Sequence, residues 1–313
     1  MKVVRKKFIR SVYQFLMNAT LRLVQGAMAV LPQPVIIFFV DCLYVPVSLG
    51  VGRLRNICIN NMHALYGDAK TAEEYYQAAN RYIKSVGQSM VDLIYYIERP
   101  QKLSEKINIH GEENLIQALG KGRGVLAVSA HMGNFPLMFV SLAQKGYKVN
   151  VIIRRMRDPE FSGFMYRLCA KWGINMIQTS PPKQFFRESL GALKRNELLF
   201  ILLDEVVAKQ DGVEVDFLNG RVTRATGPLL FVKRTASPIL PVFVSQDEQK
   251  HFHIFVEPEF TLHSDGSDEE NTINNIGGLT NIIEGYVRRY PFQWGGWFNR
   301  RWAEERSRTA QSQ

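Results

Sequence analysis

Cysteine is scarce in this chain of 313 residues: Cys42, Cys58 and Cys169 are odd in number, widely spaced and form no CxxC pair. That pattern excludes a disulfide framework and a zinc site, and it fits core-filling thiols in a reducing compartment. No P-loop, GxGxxG, HExxH or GxSxG occurs, so nucleotide binding, zinc-peptidase chemistry and a serine nucleophile elbow lack their usual signatures. A clean run of about 20 apolar residues, the length that spans a bilayer, is also missing. The most apolar stretch, 27–52, is interrupted by Pro32, Gln33, Pro34, Asp41 and Pro46. No small-residue cleavage site follows a short apolar core, so no signal peptide is expected.

What is present points to a large folded domain with a basic surface. Apolar residues make up 46% of the chain, ample for a sizeable core. Lys and Arg number 39 against 29 Asp and Glu, a net charge of +10. Such a balance suits an anionic lipid surface, an acidic carrier protein or nucleic acid. The basic residues are spread along the chain rather than clustered with stacking aromatics on a recognisable module, which argues against nucleic acid. At the N-terminal end Lys2, Arg5, Lys6, Lys7 and Arg10 lead into Phe8, Val12, Phe15, Leu16, Leu21 and Leu23 at helical spacing. A basic amphipathic helix of this kind lies in a membrane interface or packs on the domain. Together with 27–52 it makes a monotopic anchor or, alternatively, a buried helical hairpin broken by prolines. Residues 1–52 are therefore read as a membrane-associating segment, 53–100 as a helical layer ending in a linker at Pro100, and 101–313 as an α/β domain.

Within that last region the pattern alternates. Strands are expected at 107–110, 124–130, 148–153, 175–178, 198–203, 239–245 and 252–256, with helices at 112–119, 135–144, 159–172, 182–194, 226–235 and 271–289. Strand–helix alternation of this length implies a mostly parallel central sheet covered by helices on both faces, with strand ends converging on one edge. The acidic run 268–270 reads as a solvated loop, and His251 and His253, two apart on a strand, as a surface pair.

The strand at 124–130 ends on His131-Met132-Gly133-Asn134-Phe135-Pro136. A titratable imidazole at a strand-to-helix turn is well placed to meet a substrate, with Asn134 a candidate N-cap and Pro136 tolerated in the first turn. Three further segments carry candidate chemistry. Val151-Ile152-Ile153-Arg154-Arg155 is a strand running into guanidinium groups that can grip phosphate or stabilise a developing oxyanion. Leu202-Leu203-Asp204-Glu205 puts two carboxylates at a strand end, either bonded to loop backbone or serving a site. It is followed by Thr223-Arg224-Ala225-Thr226, where Thr226 and the free N–H groups of a helix start can donate to a phosphate or an oxyanion. Near the C-terminal end, Pro291-Phe292-Gln293-Trp294-Gly295-Gly296-Trp297 and Arg300-Arg301-Trp302 read as an aromatic cluster sealing the core with arginines at its rim.

Taken in order, these segments resemble the bacterial lipid A biosynthesis lauroyl/myristoyl acyltransferases of the wider lysophospholipid acyltransferase group. The resemblance implies a glycerolphosphate acyltransferase-like α/β fold and transfer of a fatty acyl chain from acyl carrier protein or acyl-CoA to a lipid hydroxyl or amine. It implies His131 as general base, with Asp204, Glu205 and Arg154 in catalysis and Gly133, Asn134, Arg155, Arg224 and Thr226 in substrate binding. Neither a metal nor a bound cofactor is expected, the acyl thioester being a co-substrate. The expected partners are the thioester donor and anionic membrane lipids, and the expected location is the cytoplasmic face of a bacterial inner membrane. The family pattern places an acidic residue five positions after the histidine, where this chain has Pro136. Two readings follow: a carboxylate from Asp204 or Glu205 reaches the imidazole from an adjacent strand, or His131 works without one. In the latter case the chain could instead be a lipid-binding or scaffold protein.

Overall fold

The computed structural model describes residues 31, 35, 36, 38, 42, 50–97, 99–154 and 159–299. Most of the expected membrane-associating segment, together with Arg155 and the Arg300-Arg301-Trp302 rim, lies outside the described residues. Among the described residues no helix is long and apolar enough to cross a membrane.

The first helices described along their whole length are α1 (Gly52–Tyr66) and α2 (Ala72–Ile97). A one-turn helix, α3 (Pro100–Ser104), occupies the expected linker, because Pro100 with its fixed φ suits a first helical turn. The alternating region then runs β1 (Ile107–His110), α4 (Glu112–Gly120), β2 (Val125–Ser129), α5 (Phe135–Gln144), β3 (Val149–Ile153), α6 (Pro159–Lys171), β4 (Asn175–Gln178), α7 (Pro182–Lys194) and β5 (Leu198–Leu202). A hairpin of β6 (Gly212–Phe217) and β7 (Gly220–Ala225) interrupts it, followed by α8 (Gly227–Thr235), β8 (Ile239–Gln246), β9 (Phe252–Val256) and α9 (Asp268–Arg289).

Seven strands form one sheet in the order β1-β9-β8-β2-β5-β3-β4, parallel at every pairing except β8 with β9. The fold is thus α/β with a mostly parallel central sheet flanked by helices. β2 sits in the middle and is buried along its whole length, which is why its sequence is an unbroken apolar run. Its side chains alternate between two cores. Leu126, Val128 and Ala130 join a cluster with α1, the first half of α2, α9, Trp294 and Trp297; Val125 and Ala127 join one with the second half of α2, α4 and α5. The helices before residue 100 therefore share both cores with the sheet.

Two departures from the sequence reading have local causes. The 268–270 run is the first turn of α9: the Ser267 hydroxyl accepts the Glu270 N–H at 3.2 Å and the Glu270 carboxylate accepts the Ser267 N–H at 2.9 Å, a reciprocal cap. Acidic residues there also face the positive end of the helix dipole. The β6–β7 hairpin, absent from the expected elements, turns through Leu218 and Asn219, both at positive φ (47° and 59°), as a two-residue hairpin turn requires. Leu218 tolerates this because its side chain is buried, and its N–H donates to Glu284 at 2.7 Å.

Candidate active site

The site is built where β2 and β5 end side by side. In that parallel pair Ser129 lies opposite Leu202, and Leu203 donates its N–H to the Ser129 carbonyl at 2.9 Å. His131 and Asp204 each follow this rung by the same two residues, so strand register alone brings them together. The imidazole Nδ1 lies 2.9 Å from Asp204 Oδ1. The other carboxylate oxygen, Oδ2, accepts the backbone N–H of His131 at 3.0 Å and the indole N–H of Trp294 at 2.8 Å. Asp204 is buried, and three donors replace the water it has lost.

An ionised carboxylate only accepts, so Nδ1 carries the proton in this contact and Nε2 is left with its lone pair when the ring is neutral. Nε2 makes no hydrogen bond among the described residues, and 35% of the His131 side chain is accessible to solvent. Burial alone would raise the Asp204 pKa, but the charge of His131, its hydrogen bond, the Trp294 hydrogen bond and Arg224 together hold it below the ordinary carboxylate range. Burial likewise disfavours a charged imidazole. The Asp204 charge and hydrogen bond outweigh it, Glu205 adds to them and Arg154 opposes, so His131 titrates above an ordinary histidine.

A strap from the far end of the chain latches the His131 turn. Gly133 donates its N–H to the Gln293 carbonyl at 2.7 Å, Gly295 donates to the His131 carbonyl at 2.6 Å, and Met132 bridges to Trp294. Gln293 in turn clamps β8, exchanging side-chain bonds of 2.8 and 2.7 Å with the backbone of Gln246. Gly133 stands at φ 52°, and a Cβ there would lie 2.5 Å from the Val244 carbonyl oxygen, so no other residue fits without distortion.

The remaining expected residues divide sharply. Arg154, one residue beyond β3, is exposed and pairs with Glu205 at 3.1 Å. Glu205 thus serves the arginine rather than the imidazole, and reaches His131 only as a nearby charge. Arg224 is buried; its Nη1 donates to the Asp204 backbone carbonyl at 2.6 Å and its guanidinium stacks over Phe217 at 4.5 Å. It supports the carboxylate loop from inside. Asn134 occupies the position before α5, but its side chain does not cap that helix. It is buried and donates Nδ2 to the Ser89 carbonyl at 2.8 Å, tying α2 to the site turn. The Gly133 N–H is taken by Gln293, and half-buried Thr226 precedes α8 without a side-chain cap bond. Pro136 lies in the first turn of α5 and offers no carboxylate; the contact to His131 comes from Asp204 instead.

His251 and His253 are more than a surface pair. His253 Nε2 lies 2.9 Å from Asp247 and its Nδ1 3.0 Å from His110 Nε2, so both ring nitrogens are engaged. Cys58 is a core residue, whereas Cys42 is exposed, a correction to the expectation that all three thiols fill the core. Trp294 is the site residue that sequence reasoning passed over. A buried indole must find an acceptor and a buried aspartate must find donors, so the two needs could have been matched.

A search of curated proteins returns no match to the chain. The family described as bacterial lipid A biosynthesis acyltransferase, however, matches residues 4–304, a span that takes in β2, β5, the strap and every side chain described above. On that evidence the chain belongs to the bacterial lipid A biosynthesis acyltransferase family and is an acyltransferase.

Proposed function

We propose that the chain transfers a fatty acyl group from a thioester, on acyl carrier protein or coenzyme A, to a hydroxyl or amine of a membrane lipid, with His131 as general base. The observation that carries this reading is the contact of His131 Nδ1 with buried Asp204 while Nε2 stays unbonded among the described residues. Nε2 takes the proton from the acceptor as its oxygen or nitrogen attacks the thioester carbonyl carbon. The tetrahedral intermediate collapses, the C–S bond breaks, and the imidazolium returns the proton to the departing sulfur. Asp204 holds the tautomer and the ring orientation and stabilises the imidazolium that forms. Arg154, exposed near the imidazole, is suited to a phosphate of donor or acceptor. The scaffold reading depended on Pro136 leaving the histidine without a carboxylate, and Asp204 supplies one.

Lipid A precursors, lysophospholipids and glycolipids are the acceptor classes that fit. The net charge of +10 favours an acidic carrier protein as donor and an anionic lipid surface as the place of work. Residues 1–52 would supply peripheral or monotopic attachment to the cytoplasmic face of the bacterial inner membrane, next to the helical layer of 53–100 and the α/β domain of 101–313. The test is acyl transfer from labelled acyl carrier protein and acyl-CoA into a membrane lipid extract, wild type against His131→Ala, with products identified by mass. Histidine-dependent incorporation is expected. Equal incorporation by the two proteins would overturn the role given to His131, and none from either donor would overturn the substrate assignment.

A further inference from the structure

We infer that Trp294 is a positioning residue of the acyl-transfer site, fixing through its indole N–H the carboxylate that holds His131. The inference rests on the reading of His131 as base. Asp204 has one oxygen for the imidazole; its angle about the side-chain torsions is set by what holds the other. That second oxygen receives two donors: the His131 backbone N–H at 3.0 Å, which belongs to the same turn as the ring, and the Trp294 indole at 2.8 Å, which does not. Trp294 therefore references the carboxylate to a separate part of the molecule.

The indole is itself immobilised. Trp294 is buried, stands edge-on to Phe217 at 5.4 Å and to Trp297 at 4.8 Å, and bridges to Met132. Phe217 also carries the guanidinium of Arg224, which holds the Asp204 carbonyl. Side chain and backbone of Asp204 are thus braced against one aromatic block. Trp297 offers an internal control. It belongs to the same block and is equally buried, but its indole donates to the Pro291 carbonyl at 2.6 Å and makes no bond to Asp204.

Removing the Trp294 N–H takes from Asp204 a bond that neutralises part of its charge, so His131 feels a stronger anion that is less well oriented. The experiment compares Trp294→Phe with Trp297→Phe, reading kcat, the acid limb of the rate profile and the His131 imidazole titration by NMR. For Trp294→Phe, kcat should fall roughly tenfold and the acid limb and the imidazole titration should both move to higher pH. For Trp297→Phe both midpoints should stay at the wild-type values. Coincident titrations of the two variants would overturn the role of Trp294. Wild-type transfer by His131→Ala would instead overturn the reading beneath it, a distinguishable result. Should Trp294→Phe fail to fold, the wild-type protein labelled at tryptophan indole nitrogen decides. The Trp294 indole signal should titrate with the His131 midpoint while that of Trp297 does not, and a flat Trp294 signal would overturn the proposal.

Discussion

Two histidine–aspartate pairs lie at the same edge of the sheet, with the same separation. His131 and Asp204 meet at 2.9 Å, and so do His253 and Asp247. Each aspartate also accepts a backbone N–H from a histidine, at 3.0 Å from His131 and 2.8 Å from His251. Both carboxylates are held below their ordinary range: each resists burial, and in each the hydrogen bonds and charges of histidines prevail. The difference lies in everything beyond that contact. Asp204 is cut off from water and braced by an indole, whereas 30% of the Asp247 side chain is accessible. His253 spends its second nitrogen on His110, while His131 Nε2 is unbonded among the described residues and its side chain is partly accessible. On the reading proposed for His131, a short histidine–carboxylate distance is therefore not what makes a base. A shielded carboxylate and an accessible, uncommitted nitrogen are.

The comparison breaks most visibly at the imidazoles. His131→Ala should lower acyl transfer by about 10³-fold or more, the upper part of the range for a general base. His253→Ala should leave the rate within about twofold of wild type, since it removes only a partly exposed ion pair. A steady-state assay on the two proteins side by side decides, and an equal loss in both would erase the distinction.

Next come the carboxylates. Asp204→Asn should cost about 10²- to 10⁴-fold in kcat, because an amide cannot hold the tautomer or offset the imidazolium charge. In wild type the rate should fall on the acid side with a midpoint above that of an ordinary histidine, and in Asp204→Asn that midpoint should move down. Stability gives a second readout. His131, raised in the fold, contributes fully below its unfolded pKa of about 6.5 and loses that contribution as pH rises through the folded value. Asp204, depressed in the fold, contributes above its unfolded pKa of about 3.9 and loses it as pH falls through the folded value. Urea unfolding should therefore show the largest gap between wild type and Asp204→Asn in mildly acidic solution, where both windows overlap. A gap that widens toward alkaline pH would contradict the assignment.

Smaller effects sharpen the picture. Gly133→Ala should destabilise the fold by roughly 2 kcal/mol or more, since it forces a side chain into positive φ and against the Val244 carbonyl. Chemical denaturation measures it. At the bottom of the scale, Asp247→Asn should change stability by at most about 1 kcal/mol, the ordinary worth of a partly solvated ion pair.

Much of this was legible in the residues. The helix at 135–144 and the strands at 107–110, 175–178 and 252–256 fall where apolar runs and their bounding Gly, Pro and Asn residues put them. The family followed from motifs met in order, and the choice between Asp204 and Glu205 was open because a strand end presents neighbouring residues in opposite directions. Only the register of β2 on β5 resolves it, and register is a long-range property. The sequence reading missed three features. The β6–β7 hairpin turns through a leucine that no turn rule favours, the α9 cap hides in an acidic run that resembles a loop, and Asn134 trades a local cap for a partner on α2. In the hairpin and at Asn134 a tertiary contact accompanies the departure, whereas the α9 cap is a local pairing of Ser267 with Glu270.

The latch by which residues 293–295 close over the His131 turn also bears on biosynthesis. Asp204 emerges from the ribosome 73 residues after His131, and Trp294 another 90 after that. A nascent chain that has set β2 beside β5 has the His131 N–H for the carboxylate, yet it lacks both the Trp294 indole and the Gly295 N–H that latches the His131 carbonyl. On the reading of His131 as base, the histidine–carboxylate pair is fully braced only when residues 293–295 leave the tunnel and dock.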